Sequence, residues 1–380
     1  MHICYITNEY PKDGVAHGGV GSFLKTLAPE LVRQGHKISI VGMNNNNIFE
    51  QENDLGVMIY RLPRKNVRGL SWWINSRKIN RQIAQIHQMT PIDVVETAEQ
   101  GLAFIDKIPS ISYIIRLHGG HHFFTDAENR KINKWKAYQE KRSFAKADAF
   151  IAVSEFVREH TATHLSYHDK KVALIRNPID TDLFSPQDVP IVKDIVFAGT
   201  VCEKKGVRQL IQAFPIIKKK FAEVKLHIYG RDWFFSDGGS YIDFLKQTEI
   251  ALLSPAIACD VIFHGAVARA EMPSIFAEAA VCVFPSHMET LGLVAPEAMA
   301  VQKPVVFTRL GPGPEVIENG RTGWLCDPHD PTDIAAKICE VLADQVRAAE
   351  VGKHAREFVV QQFGMQQISI QNTDFYESLL

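Results

Sequence analysis

Short apolar runs alternate with longer amphipathic stretches throughout this chain, and the series halts near the midpoint and begins again. Runs at 2–7, 37–42, 58–62, 94–96, 113–117, 149–153 and 172–175 read as strands of a first half, and those at 194–198, 225–229, 261–264, 281–284 and 304–308 as strands of a second. Strands that alternate with helical patterns build parallel sheets covered by helices, because a parallel partner is reached only through a crossover long enough to hold a helix. Between the two series lies the segment 177–190, NPIDTDLFSPQDVP, rich in proline and turn formers and the expected linker. The fold class is therefore α/β, with two doubly wound, Rossmann-like parallel-sheet domains expected at 1–184 and 190–361. At 380 residues the chain exceeds the usual single domain, and 46% hydrophobic residues suffice for two cores. Open parallel sheets bind ligands beyond the carboxyl ends of their strands, so a site is expected in a cleft between two facing sheets.

A formal net charge of −1 argues against a nucleic-acid binder, whose surface would carry a strong basic excess. Six cysteines (Cys4, Cys202, Cys259, Cys282, Cys326, Cys339) are scattered without Cys-x-x-Cys spacing. Reduced, buried thiols of a cytoplasmic protein are expected rather than disulfides or a metal site. The amino terminus, MHICYI, reads as a strand and not as a signal peptide, and no stretch nears the roughly 20 apolar residues that a bilayer span needs. The expected location is cytoplasmic, with peripheral contact at the inner face of the membrane. The asparagine tract at 44–47 reads as a solvated loop.

Residues 285–300, PSHMETLGLVAPEAMA, join the strand at 281–284 to a helix whose opening Pro296 suits. Glu289 stands before that helix and Glu297 in its first turn. Unpaired N–H groups at a helix start receive anions, whereas carboxylates repel phosphate and accept from sugar hydroxyls. A sugar nucleotide meets both demands. Gly18-Gly19-Val20-Gly21 follows the first strand and leads into a helical pattern of Phe23, Leu24, Leu27 and Leu31. Its glycines let backbone amides approach a phosphate, although the spacing is not that of the dinucleotide fingerprint. The loop GTVCEKKG at 199–206 follows the first strand of the second half and carries Lys204 and Lys205. His118 ends a strand, in RLHGG at 116–120, and with His121 and His122 has no acidic or cysteine partner at ligand spacing, so no metal is expected there.

Together with the glycine loop and the linker, the 285–300 motif resembles that of the retaining glycosyltransferases of family 4, which have the GT-B fold, and the resemblance runs over nearly the whole chain. It implies a metal-independent transfer of a hexose, with no prosthetic group, from a nucleoside diphosphate sugar to a saccharide or lipid-linked saccharide hydroxyl in polysaccharide biosynthesis. Attack on the face that the diphosphate leaves explains retention in this family, so Glu289 positions the sugar and is no nucleophile. The resemblance gives Glu297 to the nucleotide ribose and sets Thr290 in the donor site. It gives the backbone N–H groups of Leu291, Gly292, Leu293 and Val294, with Gly18, Gly19 and Gly21, to the diphosphate. His118 lies beside the sugar in this assignment, and Lys205 neutralises the leaving group, with Lys204 next to it. Gly230 with Arg231, and the run from His264 to Val267, correspond to positions that grip the base, and Gly311 to Glu315 to a loop before a helix. One departure stands out: Thr200 occupies the position of a family arginine. A threonine donates one hydrogen bond but no charge, so Arg231, Arg309 or the lysines must stabilise the departing diphosphate.

On the acceptor side, the segment 61–81 carries Arg61, Arg64, Lys65, Arg68, Arg77, Lys78 and Arg81 around Trp72 and Trp73, a composition that suits an anionic membrane surface and a lipid-linked acceptor. Glu96 and Glu99, at a strand end, are further acceptor-side candidates. The stretch 362–380 has helical spacing, and in GT-B enzymes the last helix crosses back to the first domain. UDP-glucose is the donor favoured by the family, GDP-mannose its competitor. The departure at Thr200 motivates a further alternative, a weakly catalytic nucleotide-sugar-binding protein of the same fold.

Overall fold

The computed structural model describes residues 1–12, 18–127 and 130–380, which divide into two units, Met1–Pro178 with Met365–Leu380 and Ile179–Gly364. The first unit contains β1 (His2–Ile6), β2 (Lys37–Met43), β3 (Glu50–Asp54), β4 (Val57–Leu62), β5 (Val94–Thr97), β6 (Ser112–Leu117), β7 (Ala149–Ala152) and β8 (Val172–Leu174). They form one sheet in the order β3-β4-β2-β1-β5-β6-β7-β8. All pairings are parallel except that of β3 with β4. Strands buried on both faces need no alternation, which is why β1, β5 and β7 are solidly apolar or wholly buried.

The second unit holds β9 (Lys193–Ala198), β10 (Leu226–Tyr229), β11 (Val261–Gly265), β12 (Ala279–Phe284), β13 (Val305–Thr308) and β14 (Trp324–Cys326), all parallel, in the order β11-β10-β9-β12-β13-β14. In both sheets the chain builds outward from its first strand, returns, and continues on the other side. The reversal lies between β1 and β5 in one sheet and between β9 and β12 in the other. Loops leaving neighbouring strands at a reversal diverge to opposite faces and leave a crevice, the usual ligand position in such folds.

Two strands escape the sequence pattern. β3, EQEND, has no apolar residue, and it exists because Leu55 and Gly56 take left-handed dihedrals (φ 53° and 88°), a two-residue turn that folds it onto β4. Its charges keep a sheet edge from pairing further. β14 is too short to show any periodicity. The asparagine tract is less open than expected, since Asn44 is buried and its N–H donates to the Leu62 carbonyl at 2.7 Å.

The expected boundaries at 184/190 and 361/362 move to 178/179 and 364/365. Ile179 and Phe184 are fully buried in the second unit, and Arg356 donates to the carbonyls of Thr181, Phe184 and Ala300 at 3.1, 2.6 and 2.6 Å. In the proline-rich segment residues 186–190 are exposed throughout, whereas in its first part only Asp182 is. Ile179 N–H donates to the Phe363 carbonyl at 2.8 Å, so the second unit begins and ends at one place. Gly364 interrupts the helical course there, between helices Gln345–Phe363 and Met365–Glu377. All six cysteines are free thiols, five of them buried. No described helix is long and apolar enough to cross a membrane.

Helix Met365–Glu377 joins the core of the first unit, where Ile368, Phe375 and Tyr376 pack with Tyr5, Phe23 and Leu27. At its heart is a buried polar network. Arg116, with no exposed surface, donates from Nε and Nη2 to the two Glu96 carboxylate oxygens at 2.7 and 3.2 Å, and from Nη2 to Asn372 Oδ1. Tyr376 donates to Glu96 Oε2 at 2.7 Å. Burial works against the guanidinium charge, but Glu96 overrides it and holds Arg116 protonated. Removing one partner strands the other charge out of water. Arg116→Ala is therefore expected to cost about 3–5 kcal/mol, and Tyr376→Phe about 1–3 kcal/mol, measured by urea unfolding; equal, small losses would show that the network contributes little.

Candidate functional site

The loops that leave β9 and β12 meet at the reversal of the second sheet. Gly206 permits this, with φ 68° and a position where an added Cβ would lie 1.9 Å from the Pro285 carbonyl oxygen. His287 N–H donates to the Lys204 carbonyl at 2.9 Å, tying the two loops by their backbones. Across this seam Lys205 Nζ donates to Glu289 Oε1, which also accepts from Ser286 Oγ at 2.8 Å. Glu289 is 9% exposed, so the pair is largely withdrawn from water. Both contacts fall on one oxygen. Among the described residues Oε2 of Glu289 accepts nothing and remains available.

Just beyond, Gly292 (φ 80°) turns the chain where a Cβ would strike Phe307 at 2.7 Å. That turn presents the N–H groups of Leu291, Gly292, Leu293 and Val294, for which no acceptor is found among the described residues. Glu297, in helix Val294–Ala300, accepts from Arg269 Nη2 at 3.3 Å. Burial raises its pKa, and Arg269 opposes the rise. Ser286 and Arg269 are the members that sequence reasoning missed. Arg269 lies two positions beyond Val267, in a turn that carries no pattern of its own.

Thr200 follows β9, and Arg231 follows the adjacent β10. Arg231 Nε donates to Thr200 Oγ1 at 3.4 Å, so a guanidinium stands at the position that lacks one in the sequence motif. Arg309 is engaged elsewhere, donating to Asp327 Oδ2 at 2.6 Å. Val267 lies in the loop after β11, half-buried.

In the first unit Gly18 caps helix Gly19–Arg33 with no side-chain hydrogen bond, and a Cβ on it would meet Glu9 at 2.5 Å. Gly19 and Gly21 form the helix's first turn. His118, just past β6, packs its ring on Phe23 at 5.4 Å between centroids. Burial and the neighbouring Arg116 push its pKa down to about 3, so the imidazole is neutral at any working pH.

Three acceptor-side expectations change. Glu96 belongs to the buried Arg116 network, and Glu99 is also buried (4% exposed) with Oε1 unbonded among the described residues, its pKa pushed up to about 8 by burial and by Glu140. Neither stands open to solvent. Arg61 is buried too, paired with Glu52 and donating to the Pro11 carbonyl at 3.0 Å. Trp72 and Trp73 remain exposed at the start of helix Ser71–Met89. With Phe104, Tyr138, Arg77 and Arg142 they line a groove of about 500 Å³. Trp72 lies 4.4 Å from Phe104 between centroids, and the Arg77 guanidinium 5.0 Å over Trp73.

Known proteins resemble this chain in sequence and in fold. The family model for Glycosyltransferase Family 4 matches residues 17–183, and that for Glycosyl transferases group 1 matches residues 192–344. An uncharacterized glycosyltransferase of Methanocaldococcus jannaschii is 26% identical over 99% of this chain and 98% of its own. A GDP-mannose-dependent phosphatidylinositol monomannoside mannosyltransferase of Mycolicibacterium smegmatis is 26% identical over 93% of both chains. Among solved structures, sucrose-phosphate synthase from Thermosynechococcus elongatus superposes with a TM-score of 0.84 at 21% identity, covering 100% of this chain and 98% of that one. Anabaena HepE in complex with UDP-glucose gives 0.77 at 18% identity over the whole of both. With two adjoining family matches that take in most of its length, and two parallel-sheet units of the corresponding fold, the chain belongs to the family 4, group 1 glycosyltransferases of GT-B architecture.

Proposed function

We propose that this glycosyltransferase is a retaining, metal-independent hexosyltransferase that takes glucose from UDP-glucose and adds it to a saccharide or lipid-linked saccharide hydroxyl in polysaccharide assembly. The observation that carries this reading is the seam between the β9 and β12 loops. Among the described residues one Glu289 oxygen is occupied by Lys205 and Ser286, the other accepts nothing, and four N–H groups without an acceptor follow directly. The available oxygen suits sugar hydroxyls, and the amides suit a diphosphate. Lys205 has donors to spare beyond its bond to Glu289 and can share its charge with the leaving group.

In this reading the acceptor hydroxyl attacks from the face that the diphosphate leaves, and a leaving-phosphate oxygen takes its proton. Glu289 orients the sugar. Glu297, on helix Val294–Ala300 and held by Arg269, accepts from the ribose. The family resemblance also assigns neutral His118 and the glycines Gly18, Gly19 and Gly21 of the first unit to the donor. Arg231, at Thr200, supplies the charge that the threonine lacks, which favours catalysis over a purely binding role. The aromatic groove at Trp72 and Trp73 is the acceptor surface, where ring faces suit a saccharide and the guanidinium groups suit a phosphate link or an anionic lipid surface.

The donor is the least constrained part. HepE binds UDP-glucose, and the mycobacterial relative is GDP-mannose-dependent. Titration calorimetry with UDP and with GDP is expected to give tighter binding of UDP; a preference for GDP would favour a mannosyltransferase. Glu289→Gln should lower turnover at least about a hundredfold while nucleotide affinity changes little, and unchanged turnover in donor hydrolysis would remove Glu289 from its role. Arg231→Gln is expected to slow turnover about tenfold or more, with a smaller effect in a Thr200→Arg background; additive losses would mean that the two positions serve different ends.

A further inference from the structure

The first unit holds a second group of side chains with ligand chemistry. His160 and His164 lie four positions apart on helix Glu155–Ala162 and the turn that prolongs it. Thr163 keeps helical dihedrals (φ −68°, ψ −21°), and the His164 N–H donates to the Thr161 carbonyl at 3.0 Å. That spacing sets both imidazoles on one face. Asp126, on helix His121–Ala127, brings its Oδ2 to 3.3 Å from His160 Nε2 and 3.5 Å from His164 Nε2. Both Nε2 atoms are shielded from solvent, and neither makes a hydrogen bond to a described residue.

These distances distinguish two kinds of contact. A hydrogen bond to the carboxylate would bring nitrogen and oxygen to about 2.9 Å. A tetrahedral ion with bonds of about 2.1 Å holds adjacent ligand atoms about 3.4 Å apart, which matches the separations of 3.3 and 3.5 Å. All three ligand atoms lie within 4.8 Å of one another. The rings are also held from behind. Phe123 meets His160 at 4.9 Å between centroids, and His164 stacks on His122 at 6.0 Å. His122 is itself fixed by Glu140, with Nδ1 and Oε2 2.5 Å apart. This packing limits how far the two rings can turn away from Asp126.

We propose that Asp126, His160 and His164 bind one zinc ion, with the fourth position taken by water. The ion joins the helices that follow β6 and β7, and the first of these begins three residues after His118. It therefore braces the segment that carries His118 and takes no part in donor chemistry, so the proposal stands whether or not the donor assignment does.

The test uses the full chain stripped with EDTA and titrated with zinc chloride against a chromogenic chelator, with cobalt chloride as a spectroscopic probe. One equivalent of zinc at submicromolar affinity is expected, with a rise in Tm and a tetrahedral cobalt spectrum. His160→Gln, His164→Gln and Asp126→Asn should each weaken binding by more than the 10- to 100-fold that outer-shell changes typically cost, roughly. His354→Gln, an exposed histidine of the second unit, should leave it unchanged. Zinc-free variants that melt at or above the wild-type temperature exclude misfolding as the cause. No stoichiometric uptake by the wild type, or uptake that survives the His160→Gln, His164→Gln double substitution, overturns the proposal.

Discussion

The parallel pairing of β9 with β12 is the contact on which the candidate site of the second unit depends. The 80 residues 199–278 separate the two strands in sequence, and only their adjacency sets the loops 199–206 and 285–293 against each other. Gly206 then decides how near they come, because any side chain there would collide with the Pro285 carbonyl. Lys205 and Glu289 reach each other as a result. A lysine and a glutamate on separate loops would be two solvated charges of little consequence; at the strand reversal, nearly out of water, they form an oriented pair with one carboxylate oxygen left over.

A different principle holds the first unit. Its sheet is closed over by a helix from the far end of the chain, and the junction is a polar network of Arg116, Glu96, Asn372 and Tyr376 with almost no solvent access. Apolar packing by Phe375 and Ile368 would stabilise the helix in several registers. The bonds from Arg116 to Asn372 and from Tyr376 to Glu96 accept only one. Burial keeps His118 neutral and the same charge adds to the effect, so a residue that fixes the fold also bears on the state of its neighbour near the strand ends.

On the proposed reading, Thr200 and Arg231 illustrate how a site can keep its charge while losing the motif that announces it. Thr200 and Arg231 sit after neighbouring strands, and a guanidinium reaches from one loop to the other. Electrostatic support for a leaving diphosphate requires a cation at a position in space, with no demand on which loop delivers it. Asp126, His160 and His164 carry the same lesson, since a carboxylate and two imidazoles from separate helices converge where no run of sequence joins them.

Much was legible in the sequence. Twelve strands follow from apolar runs, because strands buried on both faces must be apolar, and the motif at 285–300 carried Glu289, the amide loop and Glu297 in order. What escaped had a physical reason in each case. β3 is polar and held by a left-handed turn, β14 is too short for a pattern, and the boundary at Pro178 depends on Ile179 and Phe184 finding a core. Glu96 and Glu99 look like ligand groups because they end a strand, whereas the structure commits Glu96 to Arg116 and burial beside Glu140 raises the pKa of Glu99. Periodicity and local motifs determined the elements and the family, since both are properties of neighbours in the chain. Which charges pair, which stay available and which are neutral was decided by tertiary structure alone, because Coulomb and desolvation energies depend on distance and exposure, and neither is written in residue order.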